Sequence, residues 1–176
     1  MLTRAIREIR RLATAGLAAL VLALPCGAGA VEPGGPVPDV SAPELGKPDR
    51  SISFGELRGT VVYVDFWASW CVPCRQSMPA LDQLYRKYRD RGFRVVGVNK
   101  DVTLEDAQHF LTRVPVTFPL VADGKDRVAR AFDVQAMPCG YLVDRKGVVR
   151  RVHRGYTAET AAALSGEVEA LLRESP

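Results

Sequence analysis

The feature that most constrains this chain is a buried strand that leads into a helix through a pair of cysteines. Residues 61–66 (VVYVDF) form an apolar, β-branched run, which is typical of a strand covered on both faces. Residues 70–74 (WCVPC) follow it, and apolar residues then recur at helical spacing from Cys74 onwards. The junction therefore places two thiols, Cys71 and Cys74, where a helix begins.

Strands and helices alternate along the rest of the chain. We expect strands at 51–54, 93–98 and 118–121, helices at 74–89, 104–113 and 126–132, a hairpin of strands 141–144 and 148–153, and a closing helix at 157–173. Such alternation, ending in a hairpin, predicts an α/β fold with a central mixed sheet and helices on both faces.

The N-terminus is typical of an export signal. Four arginines precede an apolar core at 12–24, and Ala28-Gly29-Ala30 offers small residues for cleavage after Ala30. We therefore predict a signal peptide at 1–30, an irregular leader rich in proline and glycine at 31–48, and one domain at 49–176. The protein would be periplasmic or otherwise exported, and soluble after cleavage. An uncleaved anchor would instead tether it to the membrane, and lipid on Cys26 is a weaker alternative.

The basic charge of the chain belongs largely to this signal. The full chain carries a net charge of +4, and residues 1–30 contain four arginines and one glutamate, so the remainder carries +1. This balance gives no reason to expect nucleic acid as a partner. Export also places the three remaining cysteines, Cys71, Cys74 and Cys139, in an oxidising compartment.

Three interpretations of the Cys71–Cys74 pair compete. A zinc site would need two more ligands, and Cys139, His109 and His153 are scattered along the sequence. A purely structural disulfide would close so short a loop that it would constrain the unfolded chain little. A redox-active dithiol is favoured, because the free N–H groups of a helix N-terminus stabilise a thiolate on the first cysteine.

A longer pattern surrounds this pair. It comprises residues 64–74 (VDFWASWCVPC) with Pro79, then Gly59, 95–99 (VVGVN), 118–120 (FPL), 133–134 before Met137-Pro138, and 141–144 (YLVD) before Gly147. Over about residues 36–174 the chain resembles thioredoxin, and in particular the exported thioredoxin-like thiol–disulfide reductases of the TlpA/ResA type. The resemblance implies a thioredoxin fold with an N-terminal strand extension and a central αβ insertion. It also implies a redox-active disulfide in place of any cofactor.

The resemblance assigns roles to individual residues. Cys71 would be the exposed attacking thiolate and Cys74 the buried resolving thiol. Met137-Pro138 matches the family's cis-proline loop, which packs against the dithiol and pairs with the substrate backbone. The implied substrate-binding residues are Trp70, Pro73, Met137 and Pro138.

Two positions depart from the family pattern. Relatives commonly have glutamate three residues after the second cysteine, where this chain has Ser77, which cannot move protons at neutral pH. Asp65 instead matches the buried acid of thioredoxin, so we expect a raised pKa and a role as the base that accepts the Cys74 proton. A structural, hydrogen-bonded Asp65 is the alternative.

The second departure is Cys139, directly after Pro138, where relatives usually have threonine or serine. We favour a small buried apolar residue here. The alternative is a third redox or metal-binding thiol.

The expected function is reduction of specific exported protein disulfides. Pro73 has no N–H to offer the Cys71 sulfur and no histidine separates the cysteines, which favours a reducing potential. Clients could be cytochrome c maturation components or copper-site proteins, and the electrons would come from a membrane thiol donor. We expect a monomer. An isomerase is less favoured, since no dimerisation module is visible in the sequence. The alternatives are a disulfide oxidase and a copper(I)-binding chaperone that uses Cys71, Cys74 and Cys139.

Overall fold

The computed structural model describes residues 31–175, so the predicted signal peptide lies outside the described residues. The strands are β1 (Ser41–Glu44), β2 (Lys47–Ser53), β3 (Val61–Trp67), β4 (Phe93–Asn99), β5 (Leu120–Ala122), β6 (Cys139–Val143) and β7 (Val149–Arg154). The α-helices are α1 (Cys74–Tyr88), α2 (Leu104–Arg113), α3 (Arg127–Ala131) and α4 (Ala158–Arg173). In the described part of the chain, no helix has the length and apolar character needed to cross a membrane.

The strands form one mixed sheet in the order β2-β1-β5-β4-β3-β6-β7. β3, β4 and β5 run parallel, whereas β6 is antiparallel to β3, and β7 is antiparallel to β6. The central insertion between β4 and β6 contains α2, β5 and α3. The predicted thioredoxin fold, with its central mixed sheet, is confirmed.

The leader predicted at 31–48 is not irregular throughout. Ser41–Glu44 is β1, and β2 begins at Lys47, four residues before the strand predicted at 51–54. The prolines concealed this pairing, but Pro48 lies on β2 at the edge of the sheet, where its missing N–H costs little. Gly46, with φ of 73°, allows the tight turn between the two strands.

Side chains alternate between the two faces of β3, and the helices cover both faces. We call the side with Tyr63, Asp65 and Trp67 the dithiol face, because Cys71 and Cys74 pack there with apolar residues of α1, α2 and α4. The opposite side, with Val64 and Phe66, packs against α3 and a turn at Phe54–Leu57. We call it the aromatic face. Both clusters are buried, so β3 is covered throughout.

Candidate redox site

Cys71 and Cys74 form a disulfide at the start of α1. Their Cα atoms are 5.4 Å apart, and the Cys74 N–H donates to the Cys71 carbonyl at 3.1 Å, which closes the turn before the helix. The first turn of α1 contains no acidic residue and includes Arg75. The positive end of the helix dipole therefore lies beside the Cys71 sulfur without a nearby opposing carboxylate in that turn.

The disulfide lies just beneath the surface. Cys71 is 4% exposed and Cys74 is 0% exposed, so the expected exposed first thiol is covered in this oxidised form. Its sulfur is bonded inward to Cys74 and packs within the apolar cluster of the dithiol face. Trp70 and Val72 are 65% and 67% exposed, and Pro73 is also exposed. These three residues form an apolar rim around the disulfide rather than a cover over it.

The Met137-Pro138 peptide bond is cis, as the resemblance implies. Pro138 is buried, and its carbonyl accepts from the Gly155 N–H at 2.8 Å. Met137 is half-buried and packs against the clusters of both faces. The loop is therefore held in place at the start of β6, where β6 enters the sheet beside β3.

Asp65 is buried in the middle of β3. It is 2% exposed, and its Oδ2 has no hydrogen-bond partner among the described residues. Burial raises the pKa of this carboxyl from its ordinary value of 3.8 to about 8, because desolvation penalises the charged form. Asp65 lines a cavity of about 10 Å³ together with Ser77 of α1 and Pro138. An acid with this pKa can exchange a proton at neutral pH.

A second buried carboxylate, absent from the sequence-based prediction, fixes the loop before the cysteines. Asp101 accepts the Ser69 N–H at 3.0 Å, the Ser69 hydroxyl at 2.9 Å and the Asn99 side-chain amide at 2.8 Å. Asn99 ends β4, which is parallel to β3, so the segments after both strands leave the sheet at the same edge. Two consecutive buried strands followed by polar residues are the feature of the sequence that indicates this contact.

Cys139 does not join the other two sulfurs. It is buried on the aromatic face, in the cluster that contains Phe66 and Tyr141, whereas Cys71 and Cys74 pack on the dithiol face. Burial raises the pKa of its thiol. Residues 31–175 contain no group of three or more side chains placed to hold a metal ion. The arrangement gives no support to the copper(I) alternative.

The comparisons with known proteins agree with this site. The model of the Redoxin family matches residues 32–171. The chain belongs to the Redoxin family. It is 32% identical over 126 residues to the thiol-disulfide oxidoreductase ResA of Geobacillus kaustophilus, covering 72% of this chain and 71% of that protein.

Two solved structures also resemble this fold. A crystal structure from Chlorobium tepidum, assigned as a thiol:disulfide interchange protein DsbE, has a TM-score of 0.76 and 38% identity, covering 81% of this chain and 99% of that one. DsbF of Mycobacterium tuberculosis has a TM-score of 0.68 and 28% identity, covering 76% and 95%. The protein is thus a thiol–disulfide oxidoreductase of the ResA/DsbE type.

Proposed function

We propose that this protein is an exported reductase of specific protein disulfides, with Cys71 as nucleophile, Cys74 as resolving thiol and Asp65 as base. One observation carries the proposal. The Cys71–Cys74 disulfide lies at the N-terminus of α1, on the same face of the sheet as a buried carboxyl that has an unpaired oxygen. A helix N-terminus activates the first thiol, and a buried acid of raised pKa serves the second.

In the first step, the Cys71 thiolate attacks one sulfur of a client disulfide. A Cys71–client disulfide forms, and the second client sulfur leaves as a thiolate that takes a proton from water. The exposed apolar rim of Trp70, Val72 and Pro73 supports docking of an apolar client segment around Cys71. Met137 and Pro138 would line the other side of the bound client.

In the second step, Asp65 takes the proton from the Cys74 sulfur, and the resulting thiolate attacks the Cys71 sulfur. The mixed disulfide breaks and the Cys71–Cys74 bond forms. The client sulfur leaves as a thiolate that takes a proton from water, so both client cysteines are reduced. Two electrons have passed from the protein to the client. Ser77, which lies one turn after Cys74 and carries no carboxyl, cannot replace Asp65 in this step.

The residues between the cysteines support electron flow from the protein to its client. Pro73 has no N–H, and Val72 carries no charge, so neither adds to the stabilisation of a Cys71 thiolate by the helix. A moderately stabilised thiolate favours a reductant. A monomer would draw its electrons from a membrane thiol donor outside the cytosol, and its clients would be cytochrome c maturation components or copper-site proteins.

The reduction potential of the Cys71–Cys74 pair tests this proposal. We expect equilibration against glutathione to give a value nearer to about −270 mV, typical of a reductant, than to about −120 mV, typical of a strong oxidant. A value above about −170 mV would overturn the reductase assignment and favour a disulfide oxidase. Cys139→Ala is the matched control, since it removes a thiol that packs away from the pair.

A further inference from the structure

If Asp65 is the base, as the proposed function on which this inference rests requires, its own proton must reach solvent. Asp65 accepts the Cys74 proton only after losing its own. Burial raises its pKa to about 8, so most molecules hold that proton at pH 7. The side chain is 2% exposed and therefore cannot pass the proton directly to bulk water. A route from Asp65 to solvent is needed in each reaction cycle.

The register of three strands opens such a route. Asp65 of β3 pairs with Gly140 of β6, and Gly140 pairs with His153 of β7. Paired residues share a face of the sheet, so Asp65 and His153 flank a position that has no side chain. The Tyr63 ring fills that gap, since a Cβ atom on Gly140 would lie 1.9 Å from the Tyr63 hydroxyl oxygen.

A chain of polar contacts then leads outward. The Tyr63 hydroxyl lies 3.3 Å from Nδ1 of His153. On the other side of the ring, Nε2 of His153 lies 2.9 Å from the Glu167 carboxylate of α4. The Glu167 side chain is 25% exposed, and its Oε1 lies 3.3 Å from Arg151. Its Oε2, which faces His153, is buried and makes no hydrogen bond among the described residues. The imidazole thus contacts a buried hydroxyl through one nitrogen and a partly exposed carboxylate through the other.

The step between Asp65 and this chain crosses the small cavity described above. Tyr63, Asp65 and His153 all line it, as does Tyr156 from the loop before α4. Its volume of about 10 Å³ suffices for about one water molecule, which needs polar partners of the kind present here. The unpaired Oδ2 of Asp65 is such a partner.

We propose that His153, with the Tyr63 hydroxyl, is the proton exit through which Asp65 exchanges its proton with solvent. The proton leaves the Asp65 carboxyl, crosses the cavity to Nδ1 of His153 directly or through Tyr63, and departs from Nε2 by way of Glu167. Asp65 is then a carboxylate and takes the Cys74 proton. When the disulfide is later reduced, the flow reverses, and no electrons move along this path. His153 acts through Asp65 and is a positioning residue for proton transfer.

Few titratable groups surround the cavity. Among the residues that line the cavity, Asp65 supplies the one carboxyl and His153 the one imidazole. Tyr63 and Tyr156 remain neutral there, because burial raises the pKa of both phenols, as does the Asp65 charge. From the neighbouring elements, Glu167 of α4 contacts His153, and the negative charges of Cys139 on β6, when ionised, and of Glu167 raise the pKa of Tyr63 further.

The test measures how fast the Cys71–client disulfide disappears after the reduced, full-length protein is mixed with insulin at pH 7. In weak buffer we expect His153→Gln to slow this step about tenfold. This is less than the effect of about 10²–10⁴-fold that is expected for loss of the general base itself. Added imidazole, a small proton carrier, should restore the rate. The wild type should not respond to imidazole. His109→Gln is the matched control, because His109 is exposed on α2 and should leave the rate unchanged.

Two results would overturn the inference while the wild type still reduces insulin. In the first, His153→Gln resolves the mixed disulfide in weak buffer as fast as the wild type. In the second, His153→Gln is slow and imidazole does not restore the rate, which would show that His153 has only a structural role. Should His153→Gln not fold, Tyr63→Phe serves as the second variant and should show the same slowing and rescue. A wild type that never resolves the mixed disulfide would overturn the proposed function itself.

Discussion

On the dithiol face of the sheet, the buried carboxyl of Asp65 has an oxygen without a hydrogen-bond partner, whereas on the aromatic face the Tyr141 hydroxyl donates to the Phe132 carbonyl at 2.6 Å. A buried polar atom without a partner costs about 1–3 kcal/mol, and a satisfied one stabilises the fold modestly. The aromatic rings of Phe66, Phe132 and Tyr141 also pack edge to face. Burial of the Asp65 carboxyl therefore costs stability next to the disulfide, whereas the contacts of Tyr141 stabilise the aromatic face.

The dithiol face contains the Cys71–Cys74 pair, and the aromatic face contains the single thiol of Cys139. Substitutions of these cysteines should give the largest difference between the two faces. Cys71→Ser should abolish insulin reduction, because the attacking thiol is lost and Cys74 is fully buried. Cys74→Ser should accumulate mixed disulfides that are not resolved. Cys139→Ala should retain full activity, since this thiol packs on the aromatic face. Turnover assays and non-reducing gels measure both. Trapped clients on Cys71→Ser would show that the two roles are reversed.

Asp65→Asn tests the unpaired carboxyl on the dithiol face. The amide keeps the shape but cannot accept a proton, so turnover at pH 7 should fall by about 10²-fold, within the range for a lost general base. The free energy of unfolding should not fall, because the variant removes a carboxyl that burial disfavours. Unchanged turnover together with a less stable variant would mean that Asp65 is a structural hydrogen-bonding residue. Asp101→Asn is the contrast, since it weakens the contacts to Ser69 and should destabilise the protein.

The same carboxyl predicts a pH dependence of stability. Between pH 3.8 and about pH 8, the Asp65 carboxyl of the unfolded chain has released its proton, whereas that of the folded protein keeps it. The stability that this proton contributes is fully present below the unfolded pKa and is lost as pH rises to the folded pKa, with a slope of at most about 1.4 kcal/mol per pH unit. Denaturant midpoints of the wild type should thus fall relative to Asp65→Asn up to about pH 8 and then stay parallel. A constant difference across this range would contradict the raised pKa.

Local patterns in the sequence predicted much of this architecture. The sequence predicts the closing helix at 157–173, and the structure has it at Ala158–Arg173. Thr157, a residue expected near the helix start, is its N-cap and accepts the Thr160 N–H. The hairpin strands 141–144 and 148–153 are β6 and β7 within two residues. The position of the dithiol at a strand–helix junction also follows from local periodicity.

Other features depend on contacts that are distant in sequence. β1 is held by β2 and by β5, far along the chain, and proline-rich composition gives no local signal for that pairing. Tyr63 and His153 meet although 90 positions separate them, and only the register of β3, β6 and β7 brings them together. The side of the sheet that Cys139 occupies likewise depends on register, because a shift of one residue would reverse its face.

Phe54→Ala tests whether the aromatic face contributes to stability without affecting the Cys71–Cys74 disulfide. Phe54 is fully buried, and its ring centroid lies 5.4 Å from that of Phe132. Truncation should leave a cavity and lower the free energy of unfolding by about 3–5 kcal/mol. The reduction potential of the Cys71–Cys74 pair should stay the same, because Phe54 packs on the opposite face. A shifted potential in the folded variant would show that the two faces are coupled.

The smallest expected effect comes from the Tyr141 hydroxyl. Tyr141→Phe keeps the ring contacts with Phe66 and Phe132 but leaves the Phe132 carbonyl without this donor. The free energy of unfolding should fall by about 1 kcal/mol, the net value of one buried hydrogen bond. Turnover should equal that of the wild type at every pH from about 5 to 9, since this hydroxyl exchanges no proton with Asp65. Tyr63→Phe, the matched change on the dithiol face, should slow mixed-disulfide resolution in weak buffer. If both variants changed turnover equally, the hydroxyl contacts of Tyr63 would have no special part in proton transfer.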